Sequence, residues 1–417
     1  MTGKTFDVLL VGAGMVGAAA ACLLARAGFS VAIIEAREPT PFDPSAEVGL
    51  RVSAFSPGSV DILAETGSWR QIESQRHCAY RRMQVEDRNE SVMLEFHAPE
   101  FGLERLGTII ENNLVQWSLW QSLQAMGGVE IICPDRLESL ANEEKGLVVN
   151  LAGGSQLSCR LLVGADGANS RVRKMLGIEQ QHWEYGQHAL VTVVKTEQVN
   201  PGVAWQRFMP GGPLAFLPLQ DGTSSIVWSR PQAEARRLLA LDDGTFLAEL
   251  QEASWTQGKA WPGVMSTCGP RAEFPLTMRL SNRYSGPRTV LMGDAAHVVH
   301  PLAGQGVNLG LLDAAGLVEV LVDARRNQVD VSGEKTLRKY ERWRRSEAEI
   351  MARGIHGIRG LFKPESLAPI RKLGLGLVAR SWTAKEVFIR RAACKNRNAP
   401  ALARGEALTD LLRVRDG

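Results

Sequence analysis

The stretch VGAGMVG, residues 11–17, constrains the fold of this chain more than any other segment. It follows an apolar run that reads as a strand (6–11), opens a helical run (about 15–27), and leads into a second strand (29–35). A strand–helix–strand unit with such short connections builds a parallel sheet. Each glycine has its own task. Gly12 permits a tight turn, Gly14 lets a pyrophosphate approach the backbone, and Gly17 lets the helix lie against the strand with its N-terminus facing the phosphates. Glu35 ends the second strand, where a carboxylate bonds ribose hydroxyls and disfavours a 2′-phosphate. The site therefore suits NAD or FAD rather than NADP.

Residues 8–25 carry no charge and approach the length of a membrane span. Their interior, GAGMVGAAAAC, is rich in glycine and alanine and runs at once into β-like residues 31–34, so it reads as part of the nucleotide unit. The opening MTGKTFD lacks the basic segment and cleavage site of a signal peptide. Cys22, Cys78, Cys133, Cys159, Cys268 and Cys394 form no CxxC pair, which argues against a disulfide framework or zinc site and for a reducing cytosol. At 45% apolar and 22% charged, the 417 residues have ordinary globular composition and suffice for two or three domains.

Further along, residues 112–126 place Leu114, Trp117, Leu119, Trp120 and Leu123 at helical spacing. LLVGADG ends a strand near Asp166, and TVLMGDAAH ends another near Asp294. Both stop at glycine–aspartate turns, where α/β sheets place ligands. Residues 183–268 alternate, in ALVTVVKT, AFLPL and SSIVWS, as an antiparallel sheet does, and 82–97 reads as a hairpin that joins it. The expected fold class is α/β. It has a discontinuous Rossmann-like domain with a parallel sheet (1–75, 105–182 and 270–353), an inserted antiparallel-sheet substrate domain (76–104 and 183–269), and a basic helical C-terminal part (354–417). That last part holds 13 Lys or Arg against 5 Asp or Glu, or +8, which leaves −5 of the overall +3 for the rest.

In GDAAHVVHPLAGQGVNLG, Asp294, His297 and His300 recur every three residues. Side chains so spaced converge only loosely even on a helix, Pro301 limits helix before it, and no carboxylate-rich segment completes a shell, so no metal is expected. A buried structural support is a commoner fate for either histidine than catalysis. Gly304, Gln305 and Gly306 precede a helix (307–322) whose free N–H groups face whatever lies beyond the strand. For Asp166-Gly167, the residues alone favour a turn in which Asp166 or Ser170 caps SRVRKML.

Together, GxGxxG, the central GADGANSRVR and the late GDAAH with HPLAGQGVNLG resemble the FAD-dependent aromatic hydroxylases of the p-hydroxybenzoate hydroxylase type. Within these the chain is most similar to the ubiquinone-biosynthesis hydroxylases, through LRVSAFSPGSVDIL, IIENNLVQWSLWQSL, WEYGQHALV, LAFLPL and LGLGLVAR. WEYGQHALV and DAAGLVEVL incline it toward the branch acting on 2-polyprenylphenols at ring carbon 5. The carbon-6 demethoxyubiquinol hydroxylases are the alternative.

The resemblance implies that Gly12, Gly14, Gly17 and Glu35 bind the ADP half of FAD, that Arg51 lies along the flavin side, and that Gln116 contacts the FAD chain. Asp294, with Gly293 clearing its path, would bond the ribityl hydroxyls. Asp166 and Gly167 would serve both FAD and the nicotinamide cofactor, a reading that displaces the cap. The helix end after Gly304, Gln305 and Gly306, with Asn308, would face the flavin. His297, His300 and Pro301 would border the reaction chamber, with no protein nucleophile required. Phe216, Leu217 and Pro218 would line an apolar substrate entry or belong to the core, since both demand the same residues.

The implied reaction uses NADPH or NADH to reduce FAD without a second Rossmann domain, then O2 to form a flavin C4a-hydroperoxide that hydroxylates a polyprenylated phenol or quinol. Rival readings on this fold are a flavin-dependent isoprenoid reductase, a halogenase, whose WxWxIP signature is absent from the sequence, and a subunit that keeps FAD for structure. The basic end would rest on an anionic membrane surface, dock a ubiquinone-biosynthesis complex, or simply pack on the FAD domain. No nucleic-acid motif accompanies it.

Overall fold

The computed structural model describes residues 5–87, 93–254, 263–299, 306–362 and 381–413. Val8, Leu9 and Leu10 are all fully buried, as in a strand covered on both faces, and continuous apolar runs of this kind suit parallel sheet. Five strands run parallel in the order Thr289–Leu291, Gln156–Gly164, Thr5–Val11, Val31–Ile34, Val129–Ile132. The chain steps outward from Thr5–Val11 in one direction, then returns on its other side with Gln156–Gly164. The order therefore reverses between those two strands, and in open α/β sheets ligands bind beyond the C-terminal strand ends at such a reversal. The hairpin of Leu137–Glu143 and Gly146–Leu151, which sequence reading did not anticipate, pairs antiparallel with the first half of Gln156–Gly164.

A second, nine-stranded sheet is built around the long strand Gln180–Thr196, flanked by Ser224–Pro231 on one side and by Met265–Cys268 and Ala272–Ser281 on the other. Its pairings are antiparallel except one. Arg82–Asp87, which forms a hairpin with Met93–His97, joins Val203–Phe208 in parallel. Strand alternation divides its side chains. Leu214 and Phe216 pack with Trp205, Ile226 and Trp228 beneath the helices Gln232–Ala240 and Asp243–Ser254, whereas Leu217 and Leu219 face Tyr80, Phe96 and Ile109. On that second side lies a small sheet of Val52–Phe55, Gly107–Glu111 and Cys78–Tyr80.

The C-terminal helices bind both parts together. In Trp382–Ala392, Phe388 stacks on Phe96 at 5.7 Å and Lys385 Nζ donates to Glu95 O at 3.1 Å. Gly58 N donates to Ala393 O at 2.9 Å, an approach so close that a methyl on Gly58 would meet Cys394 O at 2.7 Å. Among the described residues of this end, Arg390 pairs with Glu386, Arg391 with Glu347, Lys395 with Asp61, Arg404 with Glu406 and Arg413 with Asp410. Of these acids only Glu347 and Asp61 come from outside 354–417, so they offset two charges of the +8 excess. No described helix is long and apolar enough to cross a membrane.

Candidate functional site

The glycine turn divides into a closed part and an open part. Gly12, at φ 100°, donates its N–H to Ile34 O at 2.8 Å, and a methyl there would lie 2.5 Å from Ala165 O. On Gly17 a methyl would come within 2.0 Å of Gly12 O; on Gly14 it would meet nothing within 4 Å. Helix Met15–Arg26 begins with Gly14 as its N-cap and no side-chain cap, so its first N–H groups and positive end face the open side. Glu35 Oε2 accepts from Ala13 N at 2.6 Å, and Oε1 from Ala36 N at 2.8 Å and Arg37 N at 3.3 Å. A carboxylate has about four acceptor positions, so room remains for a ribose hydroxyl. Phosphate at an open helix end beside a ribose acceptor is what an ADP moiety requires, and these residues fit it.

The register Val11↔Ile34, Val11↔Gly164 and Gly164↔Leu291 aligns four strand ends, so Glu35, Asp166 and Asp294 all follow the same sheet edge. Asp166 accepts from Ser170 Oγ at 2.5 Å, Arg171 N at 2.6 Å and Val172 N at 3.1 Å. Asp166 Oδ2 thus caps the first N–H groups of helix Arg171–Met175, while Oδ1 holds the N-cap Ser170, whose Oγ accepts from Arg173 N at 2.9 Å, after a turn at Gly167 with φ 78°; the residues alone suggested such a cap. Arg173, almost wholly buried, donates to Ala168 O at 3.0 Å and Ala295 O at 2.9 Å and so ties the two aspartate loops together.

Asp294 is a solvent-exposed residue. Protein around it desolvates the carboxyl and raises its pKa, with nearby His297 acting the other way. Behind it, Asp313 Oδ2 accepts from Gly293 N at 3.0 Å and His297 Nε2 at 2.5 Å, and Asp313 Oδ1 accepts from Arg344 Nε at 2.8 Å. Burial would raise the Asp313 pKa, but the His297 and Arg344 charges and hydrogen bonds outweigh it and hold the carboxyl below its ordinary range. Sequence reading missed this pair. The available signal was an acid inside the apolar run LGLLDAAGLV. His297 is 1% exposed and belongs to this buried cluster. His300, Pro301, Gly304 and Gln305 lie outside the described residues.

Helix Gly306–Arg326 begins one residue before the expected start. Near that start, buried Asn308 donates to Ala54 O and accepts from Ser56 N, both at 2.8 Å, and so ties this helix to the strand following Arg51. Arg51 is exposed, its guanidinium 4.6 Å from the Phe274 ring on the large sheet. The loop before it is held by Arg76, which bonds Ala46 O at 2.5 Å and Glu111 Oε2 at 2.6 Å, while Glu111 Oε1 accepts from Gly49 N at 2.7 Å. Gln116 is half-buried on helix Asn112–Ala125. Of the three residues named for substrate entry, Phe216 lies in the helix-covered core, 5.4 Å from Trp205, and Pro218 is buried. Leu217 faces the side shared with Val52 and Ala54.

A family model for the FAD binding domain matches residues 5–354. A 3-demethoxyubiquinol 3-hydroxylase of Escherichia coli (strain K12) is 37% identical over 91% of this chain and 95% of its own length. The ubiquinone hydroxylase UbiL of Rhodospirillum rubrum is 35% identical, covering 93% and 90%. The mitochondrial ubiquinone biosynthesis monooxygenase COQ6 of Xenopus tropicalis is 34% identical, covering 89% of each. Among solved structures, PqsL of Pseudomonas aeruginosa aligns with a TM-score of 0.74 at 24% identity over 89% of this chain and 99% of that one. The p-nitrophenol 4-monooxygenase PnpA of Pseudomonas putida also reaches 0.74, at 18% identity over 94% and 99%. These two likenesses carry the fold.

Proposed function

Because this chain belongs to the FAD-dependent hydroxylases of ubiquinone biosynthesis, we propose that it places one atom of O2 on the ring of a polyprenylated phenol or quinol, with NADPH or NADH as reductant. The observation that carries this reading is the set of groups beyond one sheet edge: the uncapped helix end at Gly14, the Glu35 carboxylate and Asp294. Bound there, FAD supplies the redox chemistry that the side chains lack.

The chain's own tasks are binding, orientation and exclusion of water. The N-terminus of helix Met15–Arg26 takes the pyrophosphate, Glu35 a ribose hydroxyl and Asp294 the ribityl hydroxyls. The positive end of helix Gly306–Arg326 favours negative charge on the flavin edge nearest it. The apolar side of the large sheet that holds Leu217 keeps water from the ring and receives the start of the tail.

Two ring positions have support. The motifs WEYGQHALV and DAAGLVEVL favour carbon 5 of a 2-polyprenylphenol, whereas the 37% identity to a demethoxyubiquinol hydroxylase favours the later quinol. Expressing the gene in strains each lacking one ring hydroxylase, and identifying accumulated precursors by mass spectrometry, separates them; restoration of ubiquinone in none refutes the substrate class. Peripheral membrane contact by the basic end suits a prenylated substrate. Binding to anionic vesicles supports that contact, and retention only by a biosynthetic complex supports the docking alternative.

A further inference from the structure

We infer that Asp313, anchored by Arg344, is the positioning residue for the loop that carries Asp294, holding it in its binding geometry before any cofactor arrives. The inference rests on the reading above that Asp294 meets FAD. Three donors converge on this one carboxylate: Gly293 N, His297 Nε2 and Arg344 Nε. Asp313 and the side chains of His297 and Arg344 are at most 1% exposed. The strand ends at Leu291, and Gly293, at φ 56°, turns out of the ladder. Its N–H would be orphaned without the Asp313 oxygen, and a buried orphan donor is costly. Asp313 thus selects the backbone conformation at the residue immediately before Asp294.

The same carboxylate joins that loop to a second element of the site. Asp313 lies on helix Gly306–Arg326, about 10 Å from its first residue at 1.5 Å per residue. One turn earlier on the same face, a methyl on Gly310 would lie 2.5 Å from Val16 Cγ2 and 3.4 Å from Gly293 Cα. The aspartate loop, the first turn of Met15–Arg26 and this helix therefore meet in direct packing, with Asp313 as the polar pin behind them.

Stability alone does not account for the ion pair. Apolar residues of similar volume at a buried pair are often neutral or better for stability, so a pair whose oxygens hold loop donors serves geometry. An ionised carboxylate only accepts, so His297 Nε2 carries the hydrogen, and His297 Nδ1 has no partner among the described residues. His297 is accordingly part of the pin.

The test measures FAD binding to full-length apoprotein by flavin fluorescence, alongside the apoprotein Tm. D313L/R344M removes both charges together, so no unpaired charge is left buried; because it also leaves the Gly293 and His297 donors without their acceptor, it is expected to fold with a Tm lowered by a few degrees while its Kd for FAD rises about tenfold or more. D294N in the wild-type background is also expected to raise Kd about tenfold, but by less than about threefold in the D313L/R344M background, because the loop is already misplaced. An unchanged Kd in folded D313L/R344M overturns the inference, as does an undiminished D294N effect in that background. If D294N leaves the wild-type Kd unaltered, the reading of Asp294 as an FAD contact fails instead. Amide exchange in wild-type apoprotein is independent of both variants: protection of the Gly293 amide without FAD supports the pin, and free exchange until FAD is added overturns it.

Discussion

Gly12 and Gly14 lie two residues apart, and their replacement by alanine should have opposite consequences. At Gly12 an alanine must adopt φ 100° and place its methyl 2.5 Å from Ala165 O, 2.8 Å from Ala165 C and 2.9 Å from Asp166 Cα. The backbone conformation costs about 1–3 kcal/mol and the overpacking about 1–3 more, so about 2–6 kcal/mol in all. With an unfolding entropy of about 2.1 cal/mol/K per residue, 417 residues give about 0.9 kcal/mol/K, so the apoprotein Tm should fall by about 2–7 °C. At Gly14, φ is −65° and a methyl meets nothing within 4 Å, so the apoprotein Tm should move by less than about 1 °C. That methyl does occupy the line along which a pyrophosphate reaches the helix end, and should weaken FAD binding by about 2 kcal/mol, or about thirtyfold in Kd. Thermal melts of apoprotein and flavin-fluorescence titrations measure both quantities. A G14A protein as destabilised as G12A, or one with wild-type affinity for FAD, refutes the division of labour.

Three further outcomes follow from the same geometry. Asp294 has its pKa raised in the fold, so it costs stability once ionised: the loss develops as pH rises from the ordinary carboxylate value through the raised one. D294N should therefore melt higher than wild type at neutral pH, with the gain vanishing in acid, although it binds FAD more weakly. R76M leaves the 7%-exposed Glu111 side chain without its cation and frees the loop before Arg51; a destabilisation of about 3–5 kcal/mol, faster FAD release and new protease cleavage within 44–49 are expected, and unchanged release would refute the strap. E35A removes the acceptor of Ala13 N and should weaken FAD by about 1–3 kcal/mol in the same titration, whereas E35Q, which keeps an acceptor oxygen, should lose less.

What could be read beforehand followed from local spacing. The strand–turn–helix around Gly12, the position of Glu35 and the glycine–aspartate strand ends all lie within short windows and are where the spacing put them; the alternation marked the second sheet over 183–268, but that sheet also takes Ala272–Ser281 and His297–Val298 from the stretch assigned to the parallel-sheet domain. Asp313 and Arg344 were not legible, because they meet across two helices, and Arg344 stands in the run RWRR, where nothing distinguishes a buried guanidinium from its exposed neighbours. Side-chain facing was also ambiguous. LAFLPL announces a strand, but only the neighbouring strands and the covering helices decide that Phe216 packs beneath those helices while Leu217 turns the other way. The charge at the C-terminal end was visible, but its partial offset by Glu347 and Asp61, contributed from elsewhere in the chain, was not.

The way the large sheet is threaded bears on how such a protein can diversify. Its strands come from 82–97, from 180–281 and from His297–Val298, with strands of the parallel sheet lying in the chain between them. No single cut-and-paste of coding sequence exchanges that sheet for another. A chimera carrying a relative's substrate face would have to replace three stretches at once and keep the Arg82↔Val203 and Leu280↔His297 registers. A single side-chain change on either face of the sheet leaves those registers untouched.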